Sequence, residues 1–580
     1  MASFFVRKGK NIQNAIVFGA MSVYGGFWRH IYLKRSLKAV KDSEKHLLKL
    51  IRKNEQTAFG MKYNFGRIRF VSDYQKDVPF TTYDDYKEYV DETFETGKQK
   101  LMTADDIEYF ADTSGTVSLM KHIPVVKASY KPYLHCASIF IWMVRQEMKK
   151  RGIPRSLCKG LNLIETGSYP TPGGMRHGYI SGYALSSAEV VIPVITCFPK
   201  ELLSAEGDTD VKYLKARFAL EDAKLVYLMA VFMSALTDFM VYIEQNHELL
   251  INDIRKGTID SSIKMPADLR KEMEAKFSPK PERADELESI FKAKDSGPLI
   301  PRIWKRMALV VAIGTGEFAP YVSRMRHYTG DSIAYCNEMY AASESLIATC
   351  MQPGDDEYLL VPDSGYYEFI PAGGESEPED DPEAVTIKDL KKDGFYELVV
   401  TNLAGLYRYR IHDVVRVTGF EGEAPKLAFA YRDQQVVNIA GVHITSDQIV
   451  SVVSGLEHEY GVELNDYSIY VDDDHVPGRI IFYLETARES DEEKELRLPE
   501  IIEKLIVKAN SDYGHLREAD EIAPCVVKLV TQGTYKRMRD KKIENGTQVN
   551  QIKTVRLIRN EEQLEFLEQA AEVCPGEGYE

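Results

Sequence analysis

At 580 residues the chain exceeds what one hydrophobic core normally organises, and 44% hydrophobic against 28% charged residues is the balance of a globular protein with two or more domains. Acidic side chains outnumber basic ones, 88 to 73, for a formal charge of −15, which argues against a nucleic-acid or membrane partner and leaves a local basic pocket for a small anion. Seven scattered cysteines, an odd number with no CxxC pair, argue against a disulfide scaffold or a zinc site and for a reducing, cytoplasmic compartment.

The N-terminus opens with Lys8 and Lys10 ahead of an apolar run over 15–27. Gly19, Gly25 and Gly26 interrupt that run, and Arg29 and His30 end it well short of a membrane span. No small-residue cleavage site follows, so helices capping a cytoplasmic protein are expected rather than a signal peptide. Leu47, Leu48, Leu50 and Ile51 recur at helical spacing in a Lys/Glu-rich background, and in residues 78–86 a Thr or Asp is placed to cap a short helix.

Residues 107–110 and 123–126 read as short strands. Between them lies TSGTVSLMK (113–121), a hydroxyl-rich turn with one glycine and a closing lysine. Such a turn offers backbone N–H groups, hydroxyls and a cation to a polyanion such as phosphate; equally, Ser/Thr/Gly turns often do no more than join strands. Residues 127–150 read as an amphipathic helix whose Tyr130, Tyr133, Phe140 and Trp142 belong to the core.

The stretch ETGSYPTPGGMRHGYISGY (165–183) is too rich in Gly, Pro, Ser and Thr for a regular element, and a loop of that length points to substrate contact, with Thr171, Gly173 and Gly174 as candidates. Residues 210–256 read as the longest helical region, with 226–243 apolar almost all round. Residues 307–313 (MALVVAI) read as a buried strand ending at Gly314, Thr315 and Gly316.

Strands follow at 358–361, 396–402 and 414–419, and the acidic run 375–383 reads as a solvated loop. After 432 the texture changes to shorter elements: helices near 447–456, 499–513, 534–545 and 561–571, with strands near 467–472, 479–485 and 525–531. A large domain over 1–432 and a small α+β domain over 433–580 are therefore expected.

Three features now stand in order: the hydroxyl/Gly/Lys turn, a Tyr-x-x-Ser-Glu segment at 340–344, and YRYRIHDV at 407–414. An acidic side chain at a strand end can accept hydrogen bonds from both hydroxyls of a ribose, which suits Asp413 to hold adenosine; the alternative is a turn Asp paired with Arg408 or Arg410. Together the three resemble the motifs of the auxin-responsive Gretchen Hagen family of acyl acid amido synthetases, a branch of the acyl-adenylate-forming superfamily. The resemblance continues through Tyr367-Glu368-Phe369, Gly533-Thr534-Tyr535 and residues 550–556 (NQIKTVR), so it spans nearly the whole chain. Two positions depart from the family pattern. Val117, Ser118 and Leu119 stand where a serine and one or two glycines usually follow the loop threonine, and His412 stands at the family's usual glycine.

The resemblance implies an α/β protein: a large N-terminal domain of mixed sheets and helices with the acyl-adenylate-forming fold, and a small hinged α+β C-terminal domain. It implies an ATP- and Mg²⁺-dependent ligase that adenylates a carboxylic acid and passes the acyl group to an amino acid, working as a monomer. Ser114, Gly115, Thr116 and Lys121 would line the phosphates. Tyr340, Ala342, Ser343 and Glu344 would lie by the adenine and α-phosphate, with Glu344 as catalytic residue and metal ligand. Asp413 would bind ribose, Arg432 would belong to the cofactor-binding set, Arg432 to Gln435 would form the hinge, and Lys553 would swing in as the catalytic lysine of adenylation. The alternatives are a thioester-forming ligase and a non-catalytic relative with a degenerate phosphate loop.

Overall fold

The computed structural model describes residues 2–113, 120–154, 158–186, 191–203, 209–293, 297–354, 357–372, 382–432, 437–440, 442–487, 496–544 and 554–573. The first helix, α1 (Ala2–Ser36), runs unbroken through all three glycines of its apolar run. Gly25 shows why they are there. A Cβ on it would lie 1.8 Å from the Ser138 carbonyl oxygen, so the missing side chain is what lets α1 cross closely over the Tyr130–Lys150 helix. Asn14, on the buried side of α1, clamps Cys158 by donating Nδ2–H to its carbonyl (3.0 Å) and accepting its N–H (2.8 Å). The following helix, α2 (Ala39–Lys53), buries Leu47, Leu50 and Ile51 as its periodicity requires.

Two packed lobes of sheet occupy the first 432 residues. One is a parallel sheet of Lys159–Asn162, Leu225–Phe232, Leu309–Ile313 and Ala334–Cys336, in that order across the sheet. Here the sequence reading needs correction, because Leu225–Phe232 (LVYLMAVF) is a strand, with helix beginning only at Met233. A parallel strand covered on both faces carries apolar side chains without alternation, and its pattern cannot be told from a buried helix by period. Tyr227 from this strand lies across Gly160, where a Cβ would fall 2.2 Å from the ring.

The other lobe is a seven-stranded sheet, ordered Gly365–Ala372, Phe395–Asn402, Tyr409–Glu421, Ala424–Arg432, Tyr358–Leu360, Leu346–Thr349 and Met339–Ala341. A smaller sheet joins Ile107–Asp112 to His122–Val126 on one side and to a short hairpin on the other. That hairpin, Ser168–Pro170 with Arg176–Gly178, followed by the helix Ile180–Ser186, corrects the expectation that 165–183 holds no regular element. The acidic residues 375–381 lie outside the described residues.

Downstream of 437 a separate sheet forms from Leu464–Asp472, Arg479–Thr486, Val526–Val530 and Ala571–Val573, with helices Ser446–Tyr460, Leu498–Ala509 and Ser511–Glu518 against it. The expected 499–513 helix is two, because Asn510 leaves helical geometry and its side-chain oxygen caps the second by accepting the Tyr513 N–H at 2.9 Å. A two-stranded hairpin, Val437–Ile439 with Val442–Ile444, precedes this sheet and has no counterpart in the sequence reading. The mixed α/β fold with a small C-terminal α+β part is thus present.

Candidate active site

The 407–414 segment is built into the large sheet rather than following it. The strand Phe395–Asn402 pairs Glu397 with Val414 but Val399 with Arg410, so three residues, 411–413, oppose one. That is a β-bulge, and its middle residue, His412, takes the left-handed backbone (φ 59°). Glycine adopts that conformation freely, which accounts for the family's glycine at this place. The His412 imidazole lies against Glu397 (3.3 Å) rather than beside Asp413. Burial alone would raise the Glu397 carboxyl; hydrogen bonds from His412 and Arg410 outweigh it and hold the group below its usual value.

Neither arginine of the motif pairs with Asp413. Arg408 is buried and donates to Glu368 (3.1 Å) and to the carbonyls of Gln75 and Val78, while Arg410 makes a two-pronged contact with Glu397 (2.9 and 2.6 Å). The 78–86 segment holds both in place: the Thr81 N–H donates to Arg408 O, and the Arg410 N–H donates to Thr81 O. The Tyr86 hydroxyl accepts the Tyr407 N–H at 2.8 Å.

Asp413 is left for other partners, and the bulge turns it towards them. Arg432, directly across the ladder, donates Nε–H to one carboxylate oxygen (2.6 Å), and the Tyr340 hydroxyl donates to the other (2.8 Å). Asp413 is buried whereas the Arg432 side chain is 39% exposed, so the ion pair opens on one side. The adjacent carboxylate holds the Arg432 proton more tightly than usual. Burial pushes the Tyr340 hydroxyl well up, and Asp413 adds to the rise.

Ala342, Ser343 and Glu344 form the turn after Met339–Ala341, closed by the Ala342 N–H donating to Ser345 O (2.9 Å). Asn402 donates Nδ2–H to the Glu344 carbonyl (2.7 Å), and Ser343 Oγ reaches the Asp112 carbonyl at 3.4 Å. Burial raises the Glu344 carboxyl; the charges of Arg432 and Lys121 pull it back, and Asp413 opposes them. Beside this turn lies a pocket lined by Tyr133, Ile180, Ser343, Glu344, Ser364 and Asn402, among others. Tyr133 comes from the Tyr130–Lys150 helix, whose aromatics the sequence assigned to the core. A roomier cleft bounded by Met233, Val322 and Met325 holds none of the expected site residues.

Ser114, Gly115 and Thr116 lie outside the described residues, but the neck of their loop is defined. Asp112 sits opposite His122 in the ladder, the Thr113 N–H donates to Lys121 O (3.1 Å), and Lys121 Nζ lies over the Tyr83 ring (5.6 Å). The Asp112 carboxylate accepts from His122 Nδ1 (2.8 Å) and from His177 Nδ1 (2.9 Å). These three ligand atoms lie within 4.8 Å of one another, so among the described residues Asp112, His122 and His177 form the one group of three suited to a metal, and Glu344 is not part of it.

The turn holding Thr171, Gly173 and Gly174 is the tip of the short hairpin. Gly173 donates its N–H to Phe94 O (2.9 Å), and its Cβ, if present, would fall 2.5 Å from the Gly97 nitrogen. The tip is therefore seated against the end of the Lys87–Thr96 helix, while the cavity beside Glu344 is lined by other residues.

Lys553 and residues 433–435 lie outside the described residues, yet the chain just after Lys553 is firmly placed. Thr554 Oγ1 donates to buried Asp466 (2.8 Å), Arg556 donates to its other oxygen, and Arg539 reaches it at 3.4 Å. Tyr321, from the large part of the chain, donates its hydroxyl to the same carboxylate (3.0 Å). Sequence reasoning missed both Asp466 and Tyr321. An Asp at the head of a strand reads as a turn residue, and nothing local reveals partners that lie between 73 and 145 positions away.

Comparison with known proteins covers the same span. The GH3 family N-terminal domain matches residues 32–333, the GH3 family central domain 358–432, and the GH3 family C-terminal domain 447–562. A probable indole-3-acetic acid-amido synthetase, GH3.11, of Oryza sativa subsp. japonica is 26% identical over 93% of this chain and 95% of its own. The 4-substituted benzoates-glutamate ligase GH3.12 of Arabidopsis thaliana is 27% identical over 92% and 96%. Among solved structures, GH3.15 acyl acid amido synthetase superposes with a TM-score of 0.83 at 23% identity, over 94% of this chain and 96% of that one, a likeness of fold.

Proposed function

The chain belongs to the GH3 family, and from that premise we propose that it is an ATP-dependent acyl acid amido synthetase, a ligase forming carbon–nitrogen bonds between a small carboxylic acid and an amino acid. A free carboxylate resists attack by an amine because oxide is a poor leaving group. Attack of a carboxylate oxygen on the α-phosphorus of ATP expels pyrophosphate and leaves an acyl–AMP anhydride. The amine nitrogen then attacks the acyl carbon, AMP departs, and the nitrogen loses a proton to solvent.

The observation that carries this reading is the joining of Tyr340 and Asp413, from two separate sequence motifs, with Arg432 into one hydrogen-bonded cluster, and Glu344 lies in electrostatic reach of both Arg432 and Lys121. A carboxylate has about four acceptor positions, so Asp413 can keep both present donors and still accept ribose hydroxyls. Lys121, with Ser114, Gly115 and Thr116, would face the phosphates, where fixed cations and N–H donors stabilise charge that develops in the transition state. Glu344 would offer one carboxylate to magnesium, an ion commonly held by one or two carboxylates together with substrate phosphates. When bound it would neutralise phosphate charge.

The acid would occupy the pocket between Tyr133 and Glu344. We place the lobe boundary at 433, with Arg432 to Gln435 as hinge and Lys553 delivered to the α-phosphate from the small lobe, in a protein working in the cytoplasm as a monomer. Pyrophosphate release screened over carboxylic acids, with and without each amino acid, tests the proposal. Release that depends on an acid, with conjugate formed only when an amine is added, is expected, and Lys553→Ala should abolish release while leaving the unfolding transition unchanged. No release with any acid, or conjugation to coenzyme A in preference to amines, would overturn it.

A further inference from the structure

Charge is distributed unevenly along this acidic chain. The first acidic side chain is Asp42, and eight Lys and Arg residues precede it. This basic, acid-free segment is α1 and the turn into α2. One side of α1 is fixed to the protein: Phe18, Ser22 and Tyr32 are buried, and Gly25 meets the Ser138 backbone. The opposite side is apolar and open. Ile16 (64% exposed), Val23 (70%) and Phe27 (55%) follow one another at seven- and four-residue intervals, so they share one face, and Tyr24 flanks it. Lys34 continues that face, and exposed Leu37, Lys38 and Lys41 stand at its end.

Exposed large side chains scattered singly need no explanation, but an aligned stripe with a basic end does. Among the described residues no helix is long and apolar enough to cross a membrane. A helix with one apolar face and clustered lysines instead lies in the headgroup region, where apolar burial and attraction to anionic lipid act together.

We propose that the outward face of α1 docks the protein on a membrane surface bearing anionic headgroups, with Ile16, Val23 and Phe27 entering the acyl boundary and Lys34, Lys38 and Lys41 meeting the headgroups. Charge complementarity selects this occupant over a second copy of the chain, since two such basic faces repel. The inference revises the expectation of no membrane partner, and it stands whether or not the ligase reading holds.

The test is co-sedimentation of the full chain with vesicles of phosphatidylcholine alone and of phosphatidylcholine with phosphatidylserine. Binding to the anionic vesicles only, weakened by added salt, is expected. Val23→Asp/Phe27→Asp should abolish it, and each of Lys34→Gln, Lys38→Gln and Lys41→Gln should weaken it about fivefold. The altered side chains are all exposed, so the unfolding transition of each variant should match the parent. Absence of binding to anionic vesicles, equal binding by the Asp variant, or a concentration-dependent dimer that this variant dissolves without any vesicle binding would each overturn the proposal.

Discussion

Asp413 is gripped by two donors that differ in what they do once its charge is lost. Tyr340 is buried and depends on the carboxylate, whereas Arg432 reaches solvent. Asp413→Ala is therefore expected to weaken ATP binding by at least tenfold, about 1.4 kcal/mol, and calorimetry reporting an unchanged Kd would remove the ribose role. The sequence motif pointed to Asp413, but its partner Arg432 is 19 residues away and is brought opposite only by the register of a long hairpin. Local sequence does not carry that register, so the Arg408 and Arg410 alternatives could not be rejected before the ladder was known.

Glu338 gives a residue-scale prediction about pH. Burial, with no cation to offset it, pushes its carboxyl up to about 8. In the unfolded chain the group ionises near 4.5, so between these values the folded state binds the extra proton and stability falls as pH rises. Glu338→Gln cannot ionise. It should melt at the same temperature as the parent near pH 4 and higher than the parent at pH 9, and thermal scans giving parallel curves at both ends would contradict the assignment.

Among elements, α1 shows how one atom decides whether two helices can meet. Alanine favours a helix over glycine by about 1 kcal/mol, so a Gly→Ala change in α1 where the new methyl has room should stabilise. Gly19→Ala is such a case, its Cβ meeting only the end of Arg145 at 3.7 Å. At Gly25 the added carbon strikes the Ser138 backbone, and overpacking costs about 1–3 kcal/mol, so Gly25→Ala should lower stability by up to about 2 kcal/mol net. Denaturant titration of the pair should move the midpoints in opposite directions. Helix was expected here, but the role of its glycines was not legible, because the Tyr130–Lys150 helix they meet is more than a hundred residues away. The Leu225–Phe232 strand failed for another reason, since full burial erases the alternation by which a strand is read.

For the whole molecule, the contact that matters is Tyr321 with Asp466, because it joins the large part of the chain to the segment that follows Lys553. Burial alone would raise the Asp466 carboxyl; Arg556, Arg539 and the hydrogen bond from Thr554 outweigh it and hold it below 3.8. A carboxyl depressed on folding contributes stability above its unfolded value and loses that contribution as pH falls through the folded one, so this junction should weaken only below about pH 4. Asp466→Ala would leave Arg539 and Arg556 facing an empty position, at a cost of about 3–5 kcal/mol. A calorimetric transition lowered for the small lobe is the expected result, and an unshifted one would show that the junction contributes little.

Arg432 is at once a donor to Asp413 and the first residue of the proposed hinge. If the hinge lies there, grip and pivot share a single side chain. On that proposal, a nucleotide drawing on Asp413 would redistribute the contacts of the residue from which the small lobe swings, so occupancy and orientation would form a reciprocal pair: whichever posture ATP favours would itself tighten ATP, by the same factor. Labels on the two lobes, followed by fluorescence transfer while ATP is titrated, would measure that factor from either direction.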